Sequence, residues 1–330
     1  MLRIIQTVKK RINILTRLLP LFSIIIPFLI LYFLYPDSFE KTWKGRTYYL
    51  FFLWVFSLEI ILNWDELQTR KISKMKSART IAFIITLLIP TIYTIVANLY
   101  GLNTVIQELA ERYNIFWAQC MPLSTEYLVF AVLFGLIVLL EYGINGLKDF
   151  SLSTVFLGII GAIYTIDNIY PQGRFTPFQV LVPTTTMLAA NVLGLMGYQT
   201  RLKPPIEGMP RLEAWDSQGH YGAQIAWACS GIDSLLIYTV IILLFLKKTA
   251  IPWKQRIIYF VIGAVITYFI NVLRIAAFFI IAINHGDIWA WHNLYGSLCS
   301  ITWIASYPLV IIGSRVLWSK IRNWKNSFAC

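Results

Sequence analysis

The chain has 330 residues, 58% hydrophobic and 13% charged, with a formal net charge of +12 and a mean hydropathy of +0.65. Apolar residues at this density, gathered into runs near the twenty needed to cross hydrocarbon, exclude a soluble globular protein. The fold class read from this is an all-α polytopic membrane protein, and membrane orientation accounts for the positive charge without a nucleic-acid partner.

The first apolar run, Leu18 to Tyr35, follows a basic leader holding Arg3, Lys9, Lys10, Arg11 and Arg17. It is longer than a secretory h-region and ends in Tyr35-Pro36-Asp37 with no small-residue cleavage site, so it reads as an uncleaved anchor. Tyr48–Trp64 and Thr80–Leu99 come next. Asn103–Cys120 carries Val105, Ile106, Leu109, Tyr113 and Phe116 near helical spacing, which predicts an interfacial helix. The later runs are Tyr127–Glu141, Leu152–Ile166, Phe178–Tyr198, Ile232–Leu246, Ile257–Ile283 and Ile301–Trp318, nine candidates in all.

Loop charges set the expected topology. Basic clusters occupy the N-terminus, the 65–79 loop (Arg70, Lys71, Lys74, Lys76, Arg79), the 247–256 loop and the tail (Arg315, Lys320, Arg322, Lys325), whereas residues 284–300 contain no Lys or Arg. The positive-inside rule makes the clusters cytoplasmic and the 284–300 loop external. Nine crossings cannot leave both termini inside. The least membrane-like run, Phe178–Tyr198, contains Gln179, Pro183, three consecutive threonines and Asn191, and is expected to lie at the outer surface. About eight transmembrane helices then remain, with 19 of the 28 basic residues inside, eight outside and Arg274 within a helix.

The stretch from Asp167 to Ala228 thereby becomes external. Arg211–Trp215 alternates, Asp216–Gly219 signals a turn and Tyr221–Trp227 reads as extended, so a small β-hairpin is expected just before Cys229. The organisation predicted is an N-terminal membrane region (1–125), a catalytic membrane core (126–318) and a basic cytoplasmic tail (319–330).

Cysteines 120, 229, 299 and 330 lack metal-ligand spacing, so neither a metal nor a cofactor is expected. The topology permits a Cys120–Cys299 disulfide without indicating one. A lone membrane cysteine is ordinarily an inert small hydrophobe. Cys229 differs in its setting, Ala228-Cys229-Ser230-Gly231-Ile232-Asp233, where a polar segment gives way to an apolar helix. Ser230 and Asp233 have capping-box spacing, which would put the thiol beside the positive end of the helix dipole. Gly231 leaves room for close approach by another chain segment.

Arg274 is ten residues before Asn284, about 15 Å along a helix at 1.5 Å per residue, a depth that requires a partner or a wet cavity. Asn271, one turn earlier, is placed to orient it. A guanidinium there suits an oxyanion formed during acyl transfer. Glu59 lies in an apolar run and is assigned no role. His292 and His285, in the 284–300 loop, are alternative bases for the thiol, and spacing barely separates them. His220, beside the predicted turn, reads as solvated.

Ala228-Cys229-Ser230-Gly231-Ile232, then Asn271-Val272-Leu273-Arg274-Ile275, then His292 with Gly296 four positions on, resemble the exosortase/archaeosortase family. The resemblance runs from about Glu126 to Trp318, and the Cys-Ser-Gly-Ile-Asp form looks like that of archaeal members, the thaumarchaeosortase subgroup among them. It implies a membrane-embedded cysteine transpeptidase that cleaves C-terminal sorting signals of exported proteins and transfers the new C-terminus to a lipid or envelope acceptor. The partners implied are membrane proteins carrying a short motif, a transmembrane helix and a basic tail. By motif, Cys229 is the nucleophile, Arg274 stabilises the tetrahedral intermediate and His292 is the base, at the outer face of the cell membrane. The third position is Arg in some archaeal members, but no arginine lies between Arg274 and Arg315 here, which favours His292 and keeps His285 in reserve. The competing reading is a polytopic secondary transporter with Arg274 as substrate counter-ion and Phe178–Tyr198 as a broken helix; the lack of an internal repeat weighs against it.

Overall fold

The computed structural model describes residues 2–41, 44–63, 78–170, 179–288, 291 and 296–327. These form two units, Met1–Pro171 and Gln172–Cys330.

The first unit contains α1 (Leu2–Leu34), α2 (Thr47–Leu62), α3 (Ala78–Leu99), α4 (Leu102–Arg112), α5 (Met121–Asp149) and α6 (Ser151–Ile169). Its core is aromatic. Phe28 stacks on Tyr49 with centroids 4.2 Å apart, and Phe52, Phe56, Phe130 and Phe134 extend the cluster by edge-to-face contacts, the geometry that ring quadrupoles favour. Gly143 has φ 73° and ψ −163°, so α5 breaks there, just beyond Glu141. α4 covers the predicted interfacial segment, ending at Arg112 rather than Cys120.

Two buried polar contacts organise this unit. Arg46 grips Glu126 with Nε–Oε1 at 2.8 Å and Nη2–Oε2 at 2.9 Å, while the Tyr49 hydroxyl donates to Oε1 at 2.9 Å. Such a bidentate pair compensates both desolvated charges. Glu59, 1% exposed, accepts the backbone N–H groups of Leu152 and Ser153 at 3.3 and 3.2 Å, together with the Ser153 hydroxyl. Its carboxylate caps the N-terminus of α6, where backbone donors lack intrahelical partners. The residue left without a role by its sequence is a cap.

The second unit contains α7 (Val182–Leu195), β1 (Gln199–Ile206), β2 (Met209–Trp215), β3 (His220–Gln224), α8 (Ile232–Lys248), α9 (Trp253–Ile283) and α10 (Gly296–Ser327). The strands form an antiparallel sheet in the order β1-β2-β3. The expected hairpin is β2–β3, and its turn lies at Asp216–Gly219, where Asp216 Oδ1 accepts N–H groups from Gln218 (2.7 Å) and Gly219 (3.2 Å). Two details differ. The second strand stops at Gln224 instead of Trp227, because Trp227 begins a tight turn with its side chain buried. A third strand, β1, precedes the hairpin through a two-residue loop, Glu207-Gly208, with φ of 52° and 79°. Positive φ at both positions is what a type I′ connection requires.

The sheet has a buried side: Leu212 and Ala214 are fully buried, and Tyr221 meets Phe278 and Phe279 of α9. α9 also packs on α7, α8 and α10. Further along, Tyr238, Ile242, Leu246, Ile304, Tyr307 and Ile311 form an apolar cluster. The Tyr238 and Tyr307 hydroxyls donate to α9 carbonyls, at Phe260 (2.8 Å) and Tyr259 (2.7 Å).

Each of the nine predicted apolar runs coincides with a helix. Among the described residues, Ile81–Leu99, Ala118–Asp149, Ser151–Ile169, Trp253–Ile283 and Cys299–Trp318 are long and apolar enough to cross a bilayer, and Leu18–Leu34, Thr47–Ile61, Val182–Leu195 and Ser234–Lys247 are shorter. The protein is therefore a mostly helical, multi-pass membrane protein with a small sheet. α7, with 14 residues, is about 21 Å long, short of a ~30 Å hydrocarbon layer.

Candidate active site

Cys229 lies in a 3₁₀ turn, Trp227–Ser230, that joins the sheet to α8. The Cys229 N–H donates to the Ala226 carbonyl at 3.0 Å, and the Ser230 hydroxyl donates to the Trp227 carbonyl at 2.6 Å. The predicted capping box is therefore absent. Ser230 spends its hydroxyl on closing its own turn, and the N-cap of α8 is Gly231, without a side-chain cap bond. Cys229 still immediately precedes the helix start. Its side chain is half-buried and carries a thiol, as do Cys120 and Cys299; no disulfide links Cys120 to Cys299.

Gly231 has φ +92°, and a Cβ built on it would stand 2.9–3.0 Å from the side chain of Asn271. The space glycine leaves is filled by that asparagine, whose Nδ2 donates to the Cys229 carbonyl at 2.9 Å. Asn271 thus holds the backbone of the cysteine turn, a different task from the orientation of Arg274 expected of it. Thr185 of α7 adds a second hold: its Oγ1 is 2.7 Å from the Tyr268 hydroxyl and 3.5 Å from the Ser230 carbonyl.

Arg274 follows Asn271 by three residues, on the same face of α9. Its Nη1 donates to Ser300 Oγ at 3.2 Å and to Ser234 Oγ at 3.5 Å, both on buried serines. These two neutral hydroxyls orient the guanidinium. The Trp291 indole donates to the Arg274 carbonyl at 3.3 Å. A Cβ at Gly296 would be 3.2 Å from Arg274 Nε and 3.0 Å from the Trp291 carbonyl oxygen. The glycine of the His292–Gly296 spacing therefore makes room for the guanidinium.

His292 lies outside the described residues. Trp291, immediately before it, and Gly296, four positions after, both flank Arg274. His285 occupies another place. With φ +56°, it terminates α9: its N–H bonds the Ala282 carbonyl and the Gly286 N–H bonds the Ile281 carbonyl, the paired pattern of a Schellman end. Its exposed imidazole lies 3.8 Å from where a Gly219 Cβ would stand, beside the β2–β3 turn. His220 is exposed, its Nε2 4.0 Å from Glu213.

Two sets of hydrogen bonds thus meet on one face of α9, Asn271 with the cysteine turn and Arg274 with Ser234 and Ser300, while His285 belongs to the sheet end. Ser234 and Ser300 were missed in the sequence. The signal was faint: each falls four residues, one helical turn, after a residue already singled out, Ser230 and Gly296. Among the described residues, no three His, Cys, Asp or Glu side chains cluster as metal ligands.

Known families make the final comparison. No curated protein and no solved structure matches the chain. The family model described as "Transmembrane exosortase (Exosortase_EpsH)" matches residues 20–307, a span that covers most of each unit and every residue of this site. The chain belongs to the transmembrane exosortase family.

Proposed function

We propose that this protein is a membrane-embedded cysteine transpeptidase that cleaves C-terminal sorting signals of exported proteins and passes the new carboxyl end to a lipid or envelope acceptor. Cys229 is the nucleophile, Arg274 the oxyanion stabiliser and His292 the base. The observation that carries the reading is that Asn271, bonded to the cysteine turn, and Arg274, oriented by Ser300, stand three residues apart on one face of α9. Family membership supports the reaction class, and Trp291 and Gly296 beside Arg274 support His292, which lies between them. In this reading residues 126–318 are the catalytic core, the site faces outward and both termini are cytoplasmic; the distribution of Lys and Arg supports that orientation.

In this mechanism the His292 imidazole takes the Cys229 proton and the thiolate attacks the scissile carbonyl. Charge moves to the carbonyl oxygen, where the Arg274 guanidinium balances it. The C–N bond breaks as the imidazolium returns its proton to the departing amine, leaving a thioester on Cys229. An acceptor nucleophile then attacks the thioester, giving its proton to the now neutral His292 imidazole; the C–S bond breaks and the thiolate leaves, to be reprotonated by that imidazolium. Lateral entry of the substrate helix would leave its extended motif at the outer surface beside the turn.

The test is co-expression of the wild type or Cys229→Ala with a tagged protein bearing a motif, a C-terminal helix and a basic tail. Tail loss with the wild type alone, together with a gain in lipid-like mobility, is expected. Identical uncleaved substrate in both strains, across several motifs, would overturn the proposal.

A further inference from the structure

The strand register separates the sheet into two chemically distinct faces. Gln199 pairs with Trp215, Arg201 with Glu213 and Lys203 with Arg211; Trp215 pairs with His220, Glu213 with Gly222 and Arg211 with Gln224. Side chains alternate across a strand, so these residues share one face. Leu212, Ala214 and Tyr221 share the other, which packs on helices. The outward face carries three cations, Arg201, Lys203 and Arg211, against one carboxylate, with His220 at its margin.

The charges on this face are unevenly matched. Lys203 Nζ is 2.7 Å and Arg211 Nη2 3.0 Å from Glu213 Oε1, and Gly222 leaves Glu213 room to lie flat between them. Asp216 is occupied by the N–H groups of its own turn. Among the described residues, no carboxylate pairs with Arg201. Its guanidinium sits 5.8 Å from the Trp215 ring centroid, a cation–π contact that holds it in place while leaving its charge uncancelled. Arg201, Trp215, Ser217, Gln218 and His220 line an open cleft of about 490 Å³ together with Glu213 and Asp216, whose carboxylates are engaged by Lys203 and Arg211 and by the turn N–H groups; the space is ample for a small polar group.

The chain that leads into this sheet is apolar and exposed: Leu195 and Met196, at the end of α7 and just before Gln199, are 90% and 59% exposed. A cationic platform bordered by protruding apolar side chains is the arrangement that sits at a bilayer surface, with cations at phosphate level and hydrocarbon below. A water-soluble acidic peptide would match the charge but leave that apolar border unused.

We infer that this face binds the phosphate of an anionic lipid headgroup, with Arg201 as its principal donor, Trp215 as its floor and the Leu195–Met196 corner seated among the acyl chains. The site is separate from the cysteine turn and does not depend on its chemistry.

The test uses the full-length Cys229→Ala chain in detergent, titrated with dioleoyl phosphatidylglycerol or dioleoyl phosphatidylcholine and read by native mass spectrometry. Phosphatidylglycerol should bind more tightly. Arg201→Gln should weaken it about fivefold, the effect of one basic residue at a charged surface, with phosphatidylcholine, whose phosphate is balanced by its own choline, weakened less and the thermal midpoint unchanged. Arg201→Lys should retain most of the preference, and Leu195→Ser should weaken both lipids. Arg211→Gln repeats the charge test from the central strand. Equal binding of the two lipids, or equal phosphatidylglycerol binding by wild type and Arg201→Gln, overturns the assignment. So does displacement of the lipid by glycerol phosphate or a Glu-rich hexapeptide at matched concentration, which would make the ligand a soluble anion.

Discussion

Replacing Gly231 with alanine tests the geometry behind the cysteine turn. An L-residue held at φ +92° costs about 1–2 kcal/mol, and its Cβ would meet the Asn271 side chain at 2.9–3.0 Å. Asn271 must then withdraw from the Cys229 carbonyl, forfeiting a hydrogen bond worth about 1 kcal/mol. The expected destabilisation of Gly231→Ala is therefore about 2–3 kcal/mol. Asn271→Ala removes the bond and opens the space, so Gly231→Ala made in that background should cost only the backbone part. The two changes should be non-additive by about 1 kcal/mol, within the range seen for contacting residues. Reversible SDS unfolding of the four full-length proteins measures the cycle, and cleavage of a tagged sorting substrate measures function. Additive costs, or Gly231→Ala with wild-type stability and processing, would refute the claim that Asn271 fills the glycine's space to hold the turn.

Gly296→Ala would bring a methyl group 3.2 Å from Arg274 Nε. Processing should fall about tenfold through a displaced guanidinium, while stability stays within about 1 kcal/mol; unchanged processing would show that the position of Arg274 is not critical. The Lys203 ammonium, aided by Arg211, holds the Glu213 carboxyl below its ordinary value of 4.5, against a smaller opposing effect of burial. The sign is that of a depressed acid: the stabilisation is complete above the unfolded value near 4.5 and is lost as pH falls through the lower folded value. Protection of the β2 amides, taken relative to the intrinsic exchange rate at each pH, should therefore fall on acidification below about pH 4.5 in the wild type, and Glu213→Gln should flatten that dependence.

The helices were legible in the sequence because hydrocarbon imposes a length and a composition on every segment that enters it. Each of the nine apolar runs corresponds to a helix, and most differences in the ends come from polar turns that hydropathy does not register. The β2–β3 hairpin was legible from its alternation and its Asp-Ser-Gln-Gly turn. β1 was not anticipated: it contains Pro204 and Pro205, which the strand accommodates with an irregular register between Lys203 and Ile206. A prolyl nitrogen gives nothing to a ladder, which an edge strand tolerates.

The residue types of the candidate site were also visible, since a thiol at a helix mouth and an arginine deep in an apolar run are costly enough to stand out. Their partners were not visible. Ser230 has the right spacing for a capping box, yet its hydroxyl closes a 3₁₀ turn, because capping depends on where the helix begins and Gly231 set that by adopting positive φ. Asn271 is one turn from Arg274 in sequence, but its amide reaches 42 residues back to the Cys229 carbonyl. Glu59 looked like a stranded charge until α6 presented its first turn 93 residues on. Local pattern determined which segments are helical and which residues are chemically unusual. Which donor meets which acceptor was decided by the tertiary structure, since hydrogen bonds act over about 3 Å of space whatever the separation along the chain.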